Sequence, residues 1–310
     1  MLPLKAPAKK RLRPVTVACF GEALWDILPR GLFLGGAPLN AAYHLSRHGL
    51  NALPISAVGK DFLGTEALRR MHGWELDTRF IGRLAGRPTG TVRAALDRQG
   101  IPSYRIASDV AWDLIPTPPA LLRRTPPAAI VYGTLALREA SNRGALSRLF
   151  AAWPGARRVL DLNLRAPFDP EGAIAFALAH AQFVKLNDEE LTRIVRLPTR
   201  TPDELARAAR LFARRKKLSR VCVTAGARGA GMLWDGQWHW ADGRRVEVRD
   251  TVGAGDAFLG SLLAGMLQAH VEPAAALRRA SRVAEFVAAH DGATPAYRIG
   301  PGGLPHEGSL

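Results

Sequence analysis

Cysteine is almost absent from this 310-residue chain. Cys19 and Cys222 each sit inside an apolar, β-branched run, Val15 to Phe20 and Val221 to Thr224. That placement predicts two small core residues in a reducing compartment, and nothing implies a disulfide framework. Long hydrophobic runs are missing too. A membrane-spanning helix needs about 20 consecutive apolar residues, and the nearest candidate, Val15 to Leu28, carries Glu22 and Asp26. The basic run Lys9-Lys10-Arg11-Leu12-Arg13 ahead of it could open a secretory signal. Those two acids and the lack of a small-residue cleavage site argue against one. The expectation is a cytoplasmic chain with no membrane partner.

Acidic residues are scarce, 27 against 43 Lys and Arg, for a formal charge of +16. Basic surfaces attract polyanions, so nucleic acid has to be weighed as a partner. The basic residues are mostly scattered Arg, often on helical stretches such as 207–217. They do not interleave with aromatics as in the common RNA modules, and no zinc-finger spacing exists, so specific nucleic-acid binding is not expected. Solvated helix faces, compositional bias and attraction of phosphorylated small molecules account for the charge.

Several catalytic patterns are also lacking. The eight His form no HExxH and no common zinc spacing, and there is no G-x-S-x-G elbow, which removes support for zinc catalysis and serine hydrolysis. The P-loop pattern GxxxxGK[ST] is absent. A dinucleotide fingerprint fails because Phe258 stands at the third glycine position.

What is present is an alternation of short β-branched runs and longer amphipathic ones. Strands are predicted at Val15–Phe20, Ala52–Val58, Ala129–Tyr132, Arg158–Leu160, Phe183–Lys185 and Arg220–Thr224. Helices are predicted at Pro38–His48, Gly64–Met71, Arg143–Ala152, Gly172–His180, Asp188–Val195 and Pro202–Ala213. Such a rhythm indicates crossover units and an α/β fold, with a mainly parallel sheet covered on both faces. Segments 23–36 and 89–106 instead alternate apolar and polar residues around turns at Pro29-Arg30-Gly31 and Arg98-Gln99-Gly100. They read as β-ribbons that project as a small lid. Residues 228–241 read as a hairpin turning at Asp235-Gly236. One domain over 14–298 is expected, between mobile tails at 1–13, which is basic, and at 299–310.

The run Arg249 to Gly260, RDTVGAGDAFLG, is the most informative stretch. Small residues at Gly253, Ala254 and Gly255 let the backbone turn tightly and aim N–H groups at one spot, before an apolar helix from Ala257 to Met266. A helix start opened by glycines is an anion site, because unpaired N–H groups and the helix dipole converge there. Asp256 falls in that first turn, where the dipole favours its ionised form, so it can accept a proton near pH 7. Taken alone, a GxGD sequence also reads as a plain glycine-flanked cap.

Gly35-Gly36-Ala37-Pro38-Leu39-Asn40 opens the first long helix. Its glycines allow close backbone approach, and Asn40 with Asp26 can bracket a polyol, though a plain loop-to-helix turn explains the run as well. Asn187 to Glu190 suits a capping box, or alternatively a pair holding water around Mg²⁺. Asp161-Leu162-Asn163-Leu164-Arg165 adds a cation at another strand end, where α/β sheets bind ligands.

These residues resemble the ribokinase-like, or PfkB, carbohydrate kinases. DTVGAGDAFLGSLLAG at 250–265 is similar to the C-terminal signature of that family. GGAPLNAAYHLSRHG at 35–49 is similar to its N-terminal one in the fructokinase form. AVGKDFLG (57–64), RPTGTVRAALD (87–97), DLNLR (161–165), VKLNDEEL (184–191) and VTAGARGA (223–230) follow in the family order. The resemblance implies a three-layer sandwich with a mainly parallel central sheet and a small β-sheet lid. It implies ATP and Mg²⁺, with Asp26, Gly36, Asn40 and Arg165 on the sugar and Asp256 as base. The anion hole would be Gly253, Ala254 and Gly255, and the nucleotide would lie along Thr224, Gly226 and Gly229. Asn187 and Glu190 would act on Mg²⁺ through water. Asp250, Val252 and the stretch 289–292 would hold K⁺. The expected reaction is phosphorylation of a sugar, foremost fructose to fructose 6-phosphate. 2-Keto-3-deoxygluconate, ribose or a nucleoside are alternative acceptors, and a non-catalytic sugar- or nucleotide-binding regulator is the remote one. Dimerisation through the lid is common in such kinases, and the sequence does not decide it here.

Overall fold

The computed structural model describes residues 14–28, 31–96, 102–165, 168 and 170–308. The first part of the chain runs β1 (Thr16–Phe20), β2 (Leu24–Leu28), β3 (Gly31–Gly35), α1 (Ala37–Arg47), β4 (Asn51–Gly59), α2 (Phe62–Gly73), β5 (Ile81–Leu84), β6 (Gly90–Leu96) and β7 (Pro102–Ile106). After the short α3 (Pro119–Leu122) come β8 (Ala129–Tyr132), α4 (Ala140–Ala152), β9 (Arg157–Asp161), α5 (Glu171–His180), β10 (Phe183–Asn187), α6 (Asp188–Val195), α7 (Pro202–Lys216) and β11 (Arg220–Thr224). The last third adds β12 (Gly229–Trp234), β13 (Gln237–Asp242), α8 (Ala254–Leu267), α9 (Pro273–Ala288), β14 (Tyr297–Ile299) and β15 (Pro305–Glu307).

Nine strands form one sheet in the order β13-β12-β11-β10-β9-β8-β1-β4-β5. From β11 through β5 every neighbouring pair is parallel, and only the β11–β12 and β12–β13 pairs are antiparallel. Both faces are buried, which is why the strands read as unbroken apolar runs. In β1, Ala18 and Phe20 enter one core with α4, α5 and α7, while Val17 and Cys19 enter the other with α1, α8 and α9. Helix ends follow local chemistry. Thr201 and Glu204 form a capping box on α7, with Pro202 at its first position, and the helix stops at Lys217 in a left-handed conformation.

The lid is a separate four-stranded sheet, β3-β2-β6-β7. The two expected ribbons, β2 with β3 and β6 with β7, are antiparallel, and they join through a parallel β2–β6 pair. The turn residues Pro29, Arg30 and 98–100 lie outside the described residues, as does the basic segment 1–13.

Some elements depart from expectation. The edge strand β5, the short α3 and the helix α9 are not among the expected elements; β5 is four residues long, with only Ile81 buried. The patternless tail expected from 299 is instead a hairpin, β14 with β15, over 297–307. Its anchor is Tyr297, buried against α1, and Gly302 and Gly303 make the turn with φ of 80° and 79°.

Candidate active site

β1 is where the strand order reverses, with β8 on one side and β4 on the other. Ligands of open α/β sheets bind at the carboxyl ends of strands flanking such a point. Asp161 ends β9, Asn187 ends β10 and Thr224 ends β11, all at that edge of the sheet. The starts of α1 and α8 complete the ring. Both helices have a glycine N-cap with positive φ and no side-chain cap, Gly36 at 110° and Gly253 at 79°. Neither position tolerates a side chain. A Cβ on Gly36 would stand 2.3 Å from the Glu22 carbonyl oxygen, and one on Gly253 would stand 2.5 Å from Ala293 Cα.

Ala293 is held from behind. His44 Nε2 lies 3.0 Å from the Ala293 carbonyl and its Nδ1 lies 2.7 Å from the Tyr297 hydroxyl. A carbonyl can only accept, so Nε2 carries a proton. Burial pushes His44 down to about 3, so the ring is neutral and Nδ1 accepts from Tyr297.

Asp256 sits in the first turn of α8 and is buried. Its Oδ2 accepts a hydrogen bond from Asn40 Nδ2 at 2.8 Å, so the two glycine-rich motifs, 216 positions apart, meet in one contact. Beside them Lys185 Nζ donates to both oxygens of Asp161 at 2.9 Å, in a buried ion pair. A Cβ on Gly255 would be 3.0 Å from that ammonium, so the glycine makes room for it. Burial pushes the Asp256 carboxyl up to about 7, and Asp161 adds to the rise. Lys185, the Asn40 hydrogen bond and Arg165 pull the other way. Burial therefore overrides the readily ionised acid expected from the helix dipole, because solvation by water is lost. Lys185 is drawn down by burial, but Asp161 and then Asp256 outweigh it and leave the ammonium above its ordinary range.

Of the three expected anion-hole residues, Ala254 turns its N–H back to the Thr251 carbonyl at 3.3 Å. The N–H groups of Gly255 and Asp256 are first-turn donors with no acceptor inside the helix.

Asp26 and Asn40 flank Gly35, where an added Cβ would lie 2.9 Å from Asp26 Oδ2 and 3.7 Å from Asn40 Oδ1. Burial raises Asp26 to about 6, with Arg165 lowering it and Asp250 raising it. Asn40 Oδ1 is buried without a partner among the described residues. Arg165 is exposed, and its charge acts on Glu22, Asp26 and Asp256.

Asn187 and Glu190 form the capping box of α6. Asn187 Oδ1 accepts the Glu190 N–H at 2.7 Å, Glu190 Oε2 accepts the Asn187 N–H at 2.8 Å, and Oε1 accepts the Leu164 N–H at 2.6 Å. Asn187 pairs in register with Thr224, which brings the β11 loop alongside. Of the glycines in that loop, Gly226 is open to solvent space, whereas Gly229 packs against the Ala241 carbonyl and supports the hairpin. Asp250 joins two segments, accepting the Val252 N–H at 3.0 Å and the Gly292 N–H at 3.1 Å. Among the described residues no group of three His, Cys, Asp or Glu side chains could hold a metal, and no helix is long and apolar enough to cross a membrane.

Sequence reasoning did not single out Lys185, Asp161 or Glu22 as site residues. Glu22 Oε1 accepts the Ala37 N–H at 3.1 Å at the start of α1, Oε2 is buried with no partner among the described residues, and burial raises its pKa. A signal existed for each. A charged residue stands within or at the end of an otherwise apolar strand run.

Residues 30–298 match the pfkB family of carbohydrate kinases. A fructokinase of Klebsiella pneumoniae is 32% identical over 272 residues, covering 82% of this chain and 84% of the relative. A 2-dehydro-3-deoxygluconokinase of Thermoproteus tenax is 28% identical over 265 residues, covering 79% and 76%. The crystal structure of a fructokinase with bound ATP from Xylella fastidiosa superposes with a TM-score of 0.75 at 25% identity, over 90% of this chain and 94% of that one.

Proposed function

Because the chain belongs to the pfkB family of carbohydrate kinases, and so is a phosphotransferase acting on a sugar, we propose that it transfers the γ-phosphate of ATP to fructose, giving fructose 6-phosphate. The observation that carries the reading is the buried Asp256 carboxyl at the uncapped start of α8, bonded to Asn40 and adjoining Asp26. Fructose is favoured over other acceptors by the fructokinase relative at 32% identity.

The sugar would sit against α1, with its hydroxyls shared among Asp26, Asn40 Oδ1 and the backbone at Gly36, and Arg165 at its rim. The unpartnered Asn40 oxygen suits a hydroxyl donor. The attacking hydroxyl faces Asp256, whose Oδ2 is already oriented by Asn40. Its oxygen bonds to the γ-phosphorus as the bond from that phosphorus to the bridging oxygen breaks. ADP leaves and the hydroxyl proton passes to Asp256. A loose transition state makes this hydroxyl acidic late, so a carboxylate suffices as base. Developing charge on the phosphoryl oxygens meets the N–H groups of Gly255 and Asp256 and the dipole of α8. A carboxyl near 7 is ionised in a useful fraction at neutral pH, and it takes the proton back readily. The lid strands carry Asp26 and exclude water from the transferring group.

The nucleotide would run along Thr224 and Gly226, whose open space admits it, past Asn187. Mg²⁺ would be held by the phosphates and by water on Asn187 and Glu190, since both Glu190 oxygens already accept one backbone N–H each. Bound there it would neutralise phosphate charge. K⁺ would lie between the 250–252 and 289–292 segments, which Asp250 already ties together, on backbone carbonyls such as that of Val252.

The test is ADP release by purified protein over fructose, ribose, 2-keto-3-deoxygluconate, tagatose and nucleosides. A highest kcat/KM with fructose is expected. No sugar-dependent turnover with any acceptor would sink the proposal. The deoxygluconokinase relative supports a second reading, and a higher kcat/KM with 2-keto-3-deoxygluconate would select it.

A further inference from the structure

The far end of the sheet, at the amino ends of the parallel strands, carries a second concentration of charge that the kinase reaction does not use. A cleft of about 610 Å³ opens there, lined by Arg157 at the start of β9, Gln182 just before β10, and Lys217, Ser219 and Arg220 around the start of β11. No carboxylate lines it.

Its polar groups are donors. The Arg157 guanidinium has no hydrogen bond or ion pair among the described residues, although it is half-buried. Burial, and after it the charge of Arg220, hold Arg157 below its ordinary range, and Asp235 offsets this only in part. Arg220 is fixed in place. It stacks over Trp234 with its guanidinium carbon 4.0 Å from the ring centroid, and its Nη2 donates to Asp235 Oδ2 at 3.1 Å. Its Nε is buried with no partner among the described residues. Gln182 Oε1 accepts the Arg158 N–H at 3.0 Å, which leaves its amide NH₂ as the group able to serve a ligand. Arg157 and Arg220 line the same cleft and their charges act on one another, a repulsion that an anion between them would relieve, and a planar donor fork fits the oxygens of phosphate. Leu267, the last residue of α8, adds an apolar wall.

We propose that this cleft is a binding site for a small phosphate-bearing anion, inorganic phosphate or a phosphate monoester, separate from the catalytic site. It gives one local purpose to the excess of basic residues.

The experiment is calorimetric titration of the full chain with inorganic phosphate and, separately, with glycerol 3-phosphate. Fructose and a non-hydrolysable ATP analogue are present to fill the catalytic site. Wild type should bind one equivalent, and Arg157→Gln and Lys217→Gln should each weaken binding about tenfold, as expected for loss of one charge-assisted contact. Arg157→Lys should recover part of the loss. Neither side chain holds a structural partner among the described residues, so the variants should melt like wild type and keep sugar phosphorylation unchanged. Tighter binding of glycerol 3-phosphate would identify a monoester as the ligand class, and tighter binding of phosphate would identify the free ion. Absence of binding at millimolar concentrations of both, or equal affinities in wild type and Arg157→Gln, would overturn the proposal. Because the readout is binding that depends on Arg157, it stands apart from any failure of the kinase reading.

Discussion

Replacing Asp161 by Asn removes a negative charge from beside Asp256 while keeping an oxygen to accept from the Lys185 ammonium. Asp161 is the largest electrostatic contribution, after burial, to the raised carboxyl of Asp256. A unit charge at 4–8 Å through an effective dielectric of about 20 is worth roughly 2–4 kcal/mol, or about 1.5–3 pKa units. The sign is robust. If Lys185 stays charged, Asp256 loses a repulsion and keeps an attraction. If Lys185 loses its proton, both charges vanish, and Asp161 was the stronger of the two. Either way Asp256 ionises at lower pH. The observable shift has a floor, because Asp26 titrates at about 6 and Asp161 is not among the charges acting on it. The acid limb of kcat/KM for the sugar, at saturating ATP, should therefore move from about 7 to about 6. At pH 6 the rate relative to the alkaline plateau should rise about tenfold, because Asp26 is half-ionised there in both proteins while the ionised fraction of Asp256 rises from about 0.1 to nearly 1. Lys185 is left buried without its carboxylate, which costs about 3–5 kcal/mol of stability, so rates belong at 20 °C or below on protein shown to be folded. A limb that stays near 7, or moves upward, would refute the charge arrangement.

Asp256→Asn should keep sugar binding by calorimetry and lose roughly 10²–10⁴ in kcat; unchanged turnover would remove Asp256 from the role of base. The same variant should gain stability relative to wild type as pH rises from 4 to 7. The folded wild type holds its carboxyl proton up to about 7 and the unfolded chain releases it near 3.9, so the wild-type contribution present at low pH is lost across that window, to a maximum of about 4 kcal/mol. Urea melts at the two pH values check this, and a constant gap between the proteins would contradict it. Gly36→Ala should raise KM for the sugar more than tenfold and lower Tm, because its Cβ would stand 2.3 Å from the Glu22 carbonyl oxygen at a φ of 110°; Michaelis kinetics and a thermal melt decide. Arg138→Met strands the buried Asp113, whose carboxylate the partly buried guanidinium clasps at 2.8 and 2.9 Å. A loss of about 3–5 kcal/mol by chemical denaturation is expected, and a loss below 1 kcal/mol would show that the pair is dispensable.

Much of this molecule was written into local pattern. β8 and β11 span the residues that their β-branched runs marked, and α6 runs from its Asn187 cap to Val195 as the capping box requires. The ribbon patterns at 23–36 and 89–106 announced the strands of the small second sheet. The glycine runs at 35–36 and 253–255 marked helix starts because their backbone conformations exclude other residues, a constraint carried by single positions. Tertiary structure decided what the acids and cations at those starts are worth. The dipole of α8 alone predicts a readily ionised Asp256, yet its carboxyl sits near 7, since burial and Asp161 reach it through the fold and not along the chain. Lys185 and Asp161 lie on neighbouring strands, 24 positions apart, and only the folded sheet shows them as a pair beside Asp256. Glu190, readable as a cap or as a holder of water around Mg²⁺, forms the cap with three observed hydrogen bonds. The cluster of Arg157, Lys217 and Arg220 is dispersed in sequence and assembled by the sheet. Residue type and spacing along a chain set local conformation. Burial, and the charges brought within a few ångströms by parallel strand order, set the chemistry of each group, and these exist only once the chain has folded.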